Sequence, residues 1–154
     1  VVERLVAQDA RARHVRCRQM DARRNDYAPG SFDLVTSTMY LHASPPSGIE
    51  EALAEAARLL PRGGKMVHLD FLPQVQPQTA AAGEAFARFI HYGHGRRNNE
   101  PFMEPLAKLD LAGLIRRLGF KNVRIEPFEE SEGALDPGYP SWRFPWTLIL
   151  AERG

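Results

Sequence analysis

Histidine is the residue type in this sequence best suited to acid–base chemistry, because an imidazole titrates near neutral pH. Of the five histidines, His42 is the one we expect to act as a general base, since it follows a predicted strand on a loop that faces a ligand. His91 and His94 have the spacing of one helix face, but Gly93 and Gly95 interrupt any helix there. No cysteine lies nearby and the His-Glu-x-x-His pattern is absent, so we expect no metal site.

The ends of two predicted strands hold a second group of polar residues. The apolar runs 32–37 and 65–71 have the length of buried parallel strands, whose two covered faces remove the need for alternation. Ligands of open α/β sheets bind at the carboxyl ends of the strands, so the residues at these ends are candidates for ligand binding. They are Ser37, Thr38, Met39, Tyr40 and Asp70.

A helix and a tight turn are needed to make these two strands parallel. Apolar residues recur at helical spacing over 49–60, and Ser47 with Glu50 matches a capping box that would begin the helix. The Gly63-Gly64 pair would end it and reverse the chain. The order strand, helix, turn, strand predicts a βαβ unit in a parallel sheet.

Further elements are predicted on both sides of this unit. Upstream, apolar and basic residues alternate over 15–20, which predicts an exposed or edge strand. Downstream, Asp110 and Gly119 bound a predicted helix, and 123–128 and 144–151 predict two more strands. We expect the last two strands to form a terminal antiparallel pair.

The composition excludes several classes of function. The chain has 154 residues, of which 44% are hydrophobic and 25% charged, and its net charge of +1 does not favour nucleic acid as a partner. A single cysteine excludes an intrachain disulfide and fits the reducing cytoplasm. No apolar run has membrane-spanning length, so we expect no membrane association, and nothing in the sequence indicates a particular oligomeric state.

Three segments in a fixed order give the sequence a family resemblance. Gln19-Met20-Asp21-Ala22, the segment 30–37 and the segment 59–67 resemble the second half of a class I S-adenosylmethionine (SAM) dependent methyltransferase, especially the small-molecule branch. The resemblance implies methyl transfer from SAM to a small-molecule acceptor. It also implies an α/β fold: a Rossmann-like parallel sheet flanked by helices, with a C-terminal antiparallel strand, lacking the first two strands of the family.

The same resemblance implies roles for single residues. Asp21 would accept a hydrogen bond from the adenine amino group, and the backbone N–H of Ala22 would bond a ring nitrogen. Ser37, Thr38 and Met39 would contact the methionine part of SAM, whose amino group would donate to backbone carbonyls and to the hydroxyl of Ser37 or Thr38. Residues that would face the methyl acceptor are Tyr40, Asp70, His91 and Tyr92.

The resemblance has gaps that bear on function. We expect 1–154 to be a partial methyltransferase domain, with 72–109 inserted as a lid or substrate-binding element, because no glycine-rich turn for the cofactor precedes Asp21. We expect the chain alone to bind SAM weakly and to expose a sheet edge. A non-catalytic scaffold or partner-binding domain is the alternative. A nicotinamide-dependent enzyme is disfavoured because the Tyr-x-x-x-Lys pair is absent.

Overall fold

A computed structural model of the chain describes residues 2–70, 72, 101–128 and 146–154. Within these ranges the helices are α1 (Val2–Gln8), α2 (Pro46–Leu59), α3 (Met103–Ala107) and α4 (Leu111–Arg117), with a short 3₁₀ turn over Ala10–Ala12. The strands are β1 (Leu34–Thr38), β2 (Lys65–Asp70), β3 (Phe120–Phe128) and β4 (Trp146–Arg153).

The four strands of the described ranges form one mixed sheet in the order β1-β2-β4-β3. β1 and β2 are parallel, with Ser37 opposite His68, and α2 connects them. β4 runs antiparallel to both of its neighbours and places Thr147 opposite Asp70. The predicted βαβ unit, the C-terminal antiparallel strands and the α/β class are therefore confirmed.

The start of α2 differs from the predicted capping box. The helix begins at Pro46 with Pro45 as its N-cap, and no side chain caps it. Proline is favoured in the first turn because its missing N–H would lack an intrahelical partner there and its φ angle is already helical. The prediction that Ser47 and Glu50 begin the helix was wrong, whereas the end at Leu60 and the reversal at Gly63, with φ of +83°, are confirmed.

One face of the sheet carries the hydrophobic core. Alternate residues of β2 and β4, including Met66 and Ile149, point to this face and are fully buried. Leu53 of α2 and Ile115 of α4 belong to the same buried cluster. The two helices therefore cover this face of the strands, which fixes the direction of every second side chain.

The outer edge of β1 is open in the part of the chain that the structure describes. The predicted strand over 15–20 was wrong: these residues have no ladder partner, and a strand is stable only with a neighbour that satisfies its backbone. β1 is also less buried than predicted, with Leu34 52% exposed. Among the described residues, this edge of the sheet is exposed, as expected.

Several predictions fall on other parts of the chain. His91, Tyr92 and most of the 72–109 insertion lie outside the described residues, so their roles stay predictions.

No helix within the described ranges is long and apolar enough to span a membrane. Those ranges also contain no group of three or more His, Cys, Asp or Glu residues arranged to hold a metal ion.

Candidate functional site

The candidate site lies where the parallel strands β1 and β2 end. At this edge Met39 leaves β1 with a φ of +59°, a left-handed conformation that costs free energy for a residue with a Cβ. Its backbone N–H donates to the Leu69 carbonyl at 2.9 Å, so the bend is held against β2. Strained backbone of this kind is typical of functional sites.

Asp70 fixes the loop that follows this bend. Its Oδ2 accepts the backbone N–H of Leu41 at 2.6 Å, and its Oδ1 lies 2.6 Å from Nδ1 of His42. All three residues are buried. A carboxylate oxygen accepts hydrogen bonds, so Nδ1 of His42 is the donor in this contact. The carboxylate at the end of β2 thus determines both the path of the loop and the tautomer of the histidine.

The loop also supports itself. The Ser44 hydroxyl donates to the Tyr40 carbonyl at 3.0 Å, and the Ser44 N–H donates to the Leu41 carbonyl at 3.1 Å. Tyr40 is half-buried and packs against the core. The segment between β1 and α2 is therefore organised by hydrogen bonds before any ligand binds, which lowers the cost of ordering it on binding.

Ser37 and His68 form a second polar pair on the covered face of the sheet. The Ser37 hydroxyl is hydrogen-bonded to Nδ1 of His68, its neighbour on β2. Burial lowers the pKa of His68 to about 4, with the Asp70 charge opposing the shift, so the ring is neutral at physiological pH. Within the described ranges, Nε2 of His68 and Oγ1 of Thr147 are buried without a hydrogen-bond partner.

Asp21 lies on a separate turn with an exposed side chain. Its carboxylate accepts the backbone N–H of Arg23 at 2.9 Å and the Nε and Nη2 groups of the same residue at 3.0 and 2.8 Å. These bonds lower the pKa of Asp21 to about 2. Arg24 N–H donates to the Asp21 carbonyl at 3.2 Å and closes the turn, on which Ala22 is also exposed.

The structure groups the predicted site residues into two sets. The set at the sheet edge consists of Ser37, Thr38, Met39, Tyr40, His42 and Asp70. Asp21 and Ala22 form the other set, linked to the start of α2 through Arg23, whose Nη1 lies 3.7 Å from Glu51. Asp70 is completely buried, so its position favours a role through His42, and its predicted contact with the acceptor stays a prediction.

Sequence reasoning did not assign a functional role to His68, Glu55 or Arg58. His68 contacts a predicted ligand residue, and the other two contact the segment that follows Asp21. The spacing of Glu55 and Arg58 on a helix indicates an ion pair. Their further contacts depend on how the preceding segment packs, which a local pattern does not contain.

Comparison with known proteins agrees with this geometry. Residues 2–68 match the family described as "Methyltransferase domain". A SAM-dependent methyltransferase from Methanosarcina mazei superposes with a TM-score of 0.55 at 15% identity, covering 87% of this chain and 65% of that one. A SAM-dependent methyltransferase from Thermotoga maritima, described as a possible histamine N-methyltransferase, gives 0.59 at 18% identity, covering 96% of this chain and 68% of that one.

A third structure, a possible exported protein from Bordetella parapertussis, has a TM-score of 0.60 at 18% identity and covers 97% of this chain and 48% of that one. No curated protein matches the sequence. The chain thus spans about two thirds of the Methanosarcina protein and about half of the Bordetella protein. Together with the site at the sheet edge, the comparisons define a methyltransferase fold. Residues 2–68 are less than half of the chain, so the family match shows similarity to the methyltransferase domain over that part, and the solved structures show the fold.

Proposed function

We propose that the complete protein transfers a methyl group from SAM to a small-molecule acceptor, and that it does so in the cytoplasm. The observation that carries this proposal is the buried Asp70, which holds the loop after β1 in one conformation at the ligand edge of the sheet. A reaction that depends on alignment needs such a preorganised loop. The low net charge supports a small acceptor over a polyanion.

The residues present fit the two ends of the cofactor. Asp21 stays ionised at physiological pH, because its pKa is about 2, and can accept from the adenine amino group. The small, exposed Ala22 leaves room for the ring to approach its backbone. At the sheet edge, Ser37, Thr38 and Met39 would hold the methionine part.

When bound, SAM supplies a methyl group that is already electrophilic and a neutral leaving group. The protein therefore has to position the acceptor, exclude water and remove a proton where the acceptor carries one. His42 would perform the last task, because Asp70 orients its ring at the ligand edge of the sheet. Tyr40 and, outside the described residues, His91 and Tyr92 would contact the acceptor.

Transfer of a tritiated methyl group tests the proposal. The complete protein is incubated with labelled SAM and a panel of small molecules that offer hydroxyl, amine or activated carbon acceptors. We expect at least one class to be labelled, and His42→Ala to lower kcat by about 100-fold for an acceptor that must lose a proton. His14→Ala, at an exposed histidine, is the matched control and should keep full activity. Labelling of no acceptor, despite tight SAM binding, would contradict the proposal.

One observation favours the alternative of a non-catalytic scaffold. The Asp21 carboxylate already accepts three hydrogen bonds from Arg23, so adenine has to share or displace them. SAM binding to the complete protein separates the two functions. The Arg23→Gln variant removes the guanidinium that competes for Asp21. If the protein is a scaffold, neither the wild type nor this variant should bind SAM. If it is an enzyme, both should bind it.

A further inference from the structure

One side of α2 carries three charged residues that face the segment around Asp21. Glu51, Glu55 and Arg58 recur at the i, i+4 and i+7 spacing of a single helix face. Residues 18–32, on the other side of this contact, contain no strand, so a sheet ladder does not hold them. Their backbone polar groups need other partners, and α2 provides several of them.

Glu55 is the centre of the contact. Although it is a carboxylate, it is buried, and its Oε1 accepts the backbone N–H of Asn25 at 2.9 Å. Arg58 donates to both of its oxygens at 2.7 Å, which lowers the pKa of Glu55. A buried charge is tolerated only when it is paired and hydrogen-bonded. Arg58 meets this condition from within the same helix, and the Asn25 N–H adds a further hydrogen bond that ties the segment to Glu55.

Arg58 extends the contact along the segment. Its Nη1 donates to the Tyr27 carbonyl at 2.7 Å, and its own backbone carbonyl accepts from Gly30 at 2.9 Å. The next carbonyl, that of Leu59, accepts from Phe32 at 3.1 Å. The end of the helix thus takes the place of a neighbouring strand for this part of the chain.

The proposed adenine contact lies directly beside this region. Asn25 follows the turn that Asp21 and Arg24 close. The hydrogen bond from the Asn25 N–H to Glu55 therefore holds the end of that turn against α2. Within the turn, Arg23 reaches towards Glu51, one helical turn before Glu55. Movement of the turn relative to α2 would break the bond to Glu55, the ion pair with Glu51, or both.

We propose that Glu55 and Arg58 are positioning residues, which hold the Asp21 turn at a fixed place relative to the carboxyl edge of β1 and so set the affinity for SAM. This inference rests on the proposed role of Asp21 in adenine binding. The two residues act through the backbone of 25–32 and contact neither the cofactor nor the acceptor. They are expected to affect KM for SAM and to leave kcat unchanged.

Amide exchange tests the structural half of the proposal without any ligand. Glu55→Ala should expose the Asn25 amide, measured by NMR, while Glu55→Gln, which keeps an accepting oxygen, should preserve most of its protection. Arg58→Ala should loosen the segment but leave the bond from Asn25 to Glu55. Glu50→Gln, at an exposed position of the same helix, is the control. Unchanged Asn25 exchange in Glu55→Ala would overturn the proposal.

Steady-state kinetics of the complete protein test the functional half. Glu55→Ala should raise KM for SAM about tenfold and leave kcat unchanged. This increase corresponds to the loss of the binding free energy that one hydrogen bond contributes. Glu55→Gln should restore a KM close to that of the wild type. An equal loss of kcat and of acceptor affinity would indicate general destabilisation and overturn the inference. If the wild type binds no SAM, the proposed function fails, and the Asn25 exchange still decides whether Glu55 holds the segment.

Discussion

Asp70 and His42 join the ends of two parallel strands through one buried hydrogen bond of 2.6 Å between Oδ1 and Nδ1. The second oxygen of the same carboxylate accepts the Leu41 N–H, so one side chain fixes both the backbone and a ring of the loop. Both partners are almost completely buried, which removes competition from water. A contact of this kind orients a histidine in the way that the third member of a catalytic triad does.

Replacement of Asp70 tests how much this contact stabilises the fold. Asp70→Ala leaves a buried N–H and a buried ring nitrogen without their acceptor, so we expect the free energy of unfolding to fall by about 3 kcal/mol. Asp70→Asn, which keeps one accepting oxygen, should cost less. Urea unfolding followed by circular dichroism measures both. Asp33→Asn, at an exposed aspartate, is the control. The expectation would be contradicted if Asp70→Ala lowered the free energy of unfolding by no more than Asp33→Asn does.

His68 should make stability depend on pH in a defined window. The pKa is about 4 in the folded chain and near 6.5 in an unfolded one, so the unfolded state binds more protons between these values. Stability is fully present above pH 6.5 and decreases as the pH falls to about 4, by a total of about 3 kcal/mol. Urea unfolding at several pH values should show this slope, and His68→Gln should remove it. His14→Gln should leave the slope unchanged.

Local patterns identified the elements whose partners are close in sequence. The βαβ unit follows from two apolar runs and a helical repeat, and Asp110 caps α4 as predicted, with Oδ1 accepting from Gly113. The strand predicted over 15–20 was wrong, because a strand depends on a neighbour that no local pattern reveals. At the start of α2, the helix begins at Pro46 and the capping box predicted from Ser47 and Glu50 does not form.

The candidate site was predictable in position and less so in contacts. The carboxyl ends of β1 and β2 do meet, which places Ser37 and Asp70 at one edge. The alternation of side chains along β2 indicates the burial of Asp70, because positions 66, 68 and 70 lie on one face of the strand and Met66 is in the core. The pairing of Ser37 with His68 requires the strand register, which the sequence did not supply.

The turn after α2 depends on a backbone conformation more than on space. Gly63 has a φ of +83°, and a Cβ added there would meet no atom within 4 Å. Gly63→Ala should therefore destabilise the chain by about 1 kcal/mol through the conformation alone. Gly63→Asn, which tolerates this region better, should cost less. Equal losses for the two variants in thermal unfolding would show that the conformation does not set the cost.

Two aspartates with the same local contacts allow a matched test of the cofactor site. Asp9 accepts from the backbone N–H, Nε and Nη2 of Arg11 at 2.9, 3.1 and 2.9 Å, as Asp21 does from Arg23. Both carboxylates are exposed, so Asp9→Ala and Asp21→Ala remove equivalent local bonds.

Only Asp21 is proposed to contact adenine, so the two variants should differ in SAM affinity. Calorimetry on the complete protein should show an increase in the dissociation constant of about tenfold for Asp21→Ala and no change for Asp9→Ala. Because the pKa of Asp21 is about 2, the wild-type affinity should not change through this group between pH 5 and 8, a range we choose for the titration. An equal effect of both variants would remove Asp21 from the proposed cofactor site and assign the loss to the local turn.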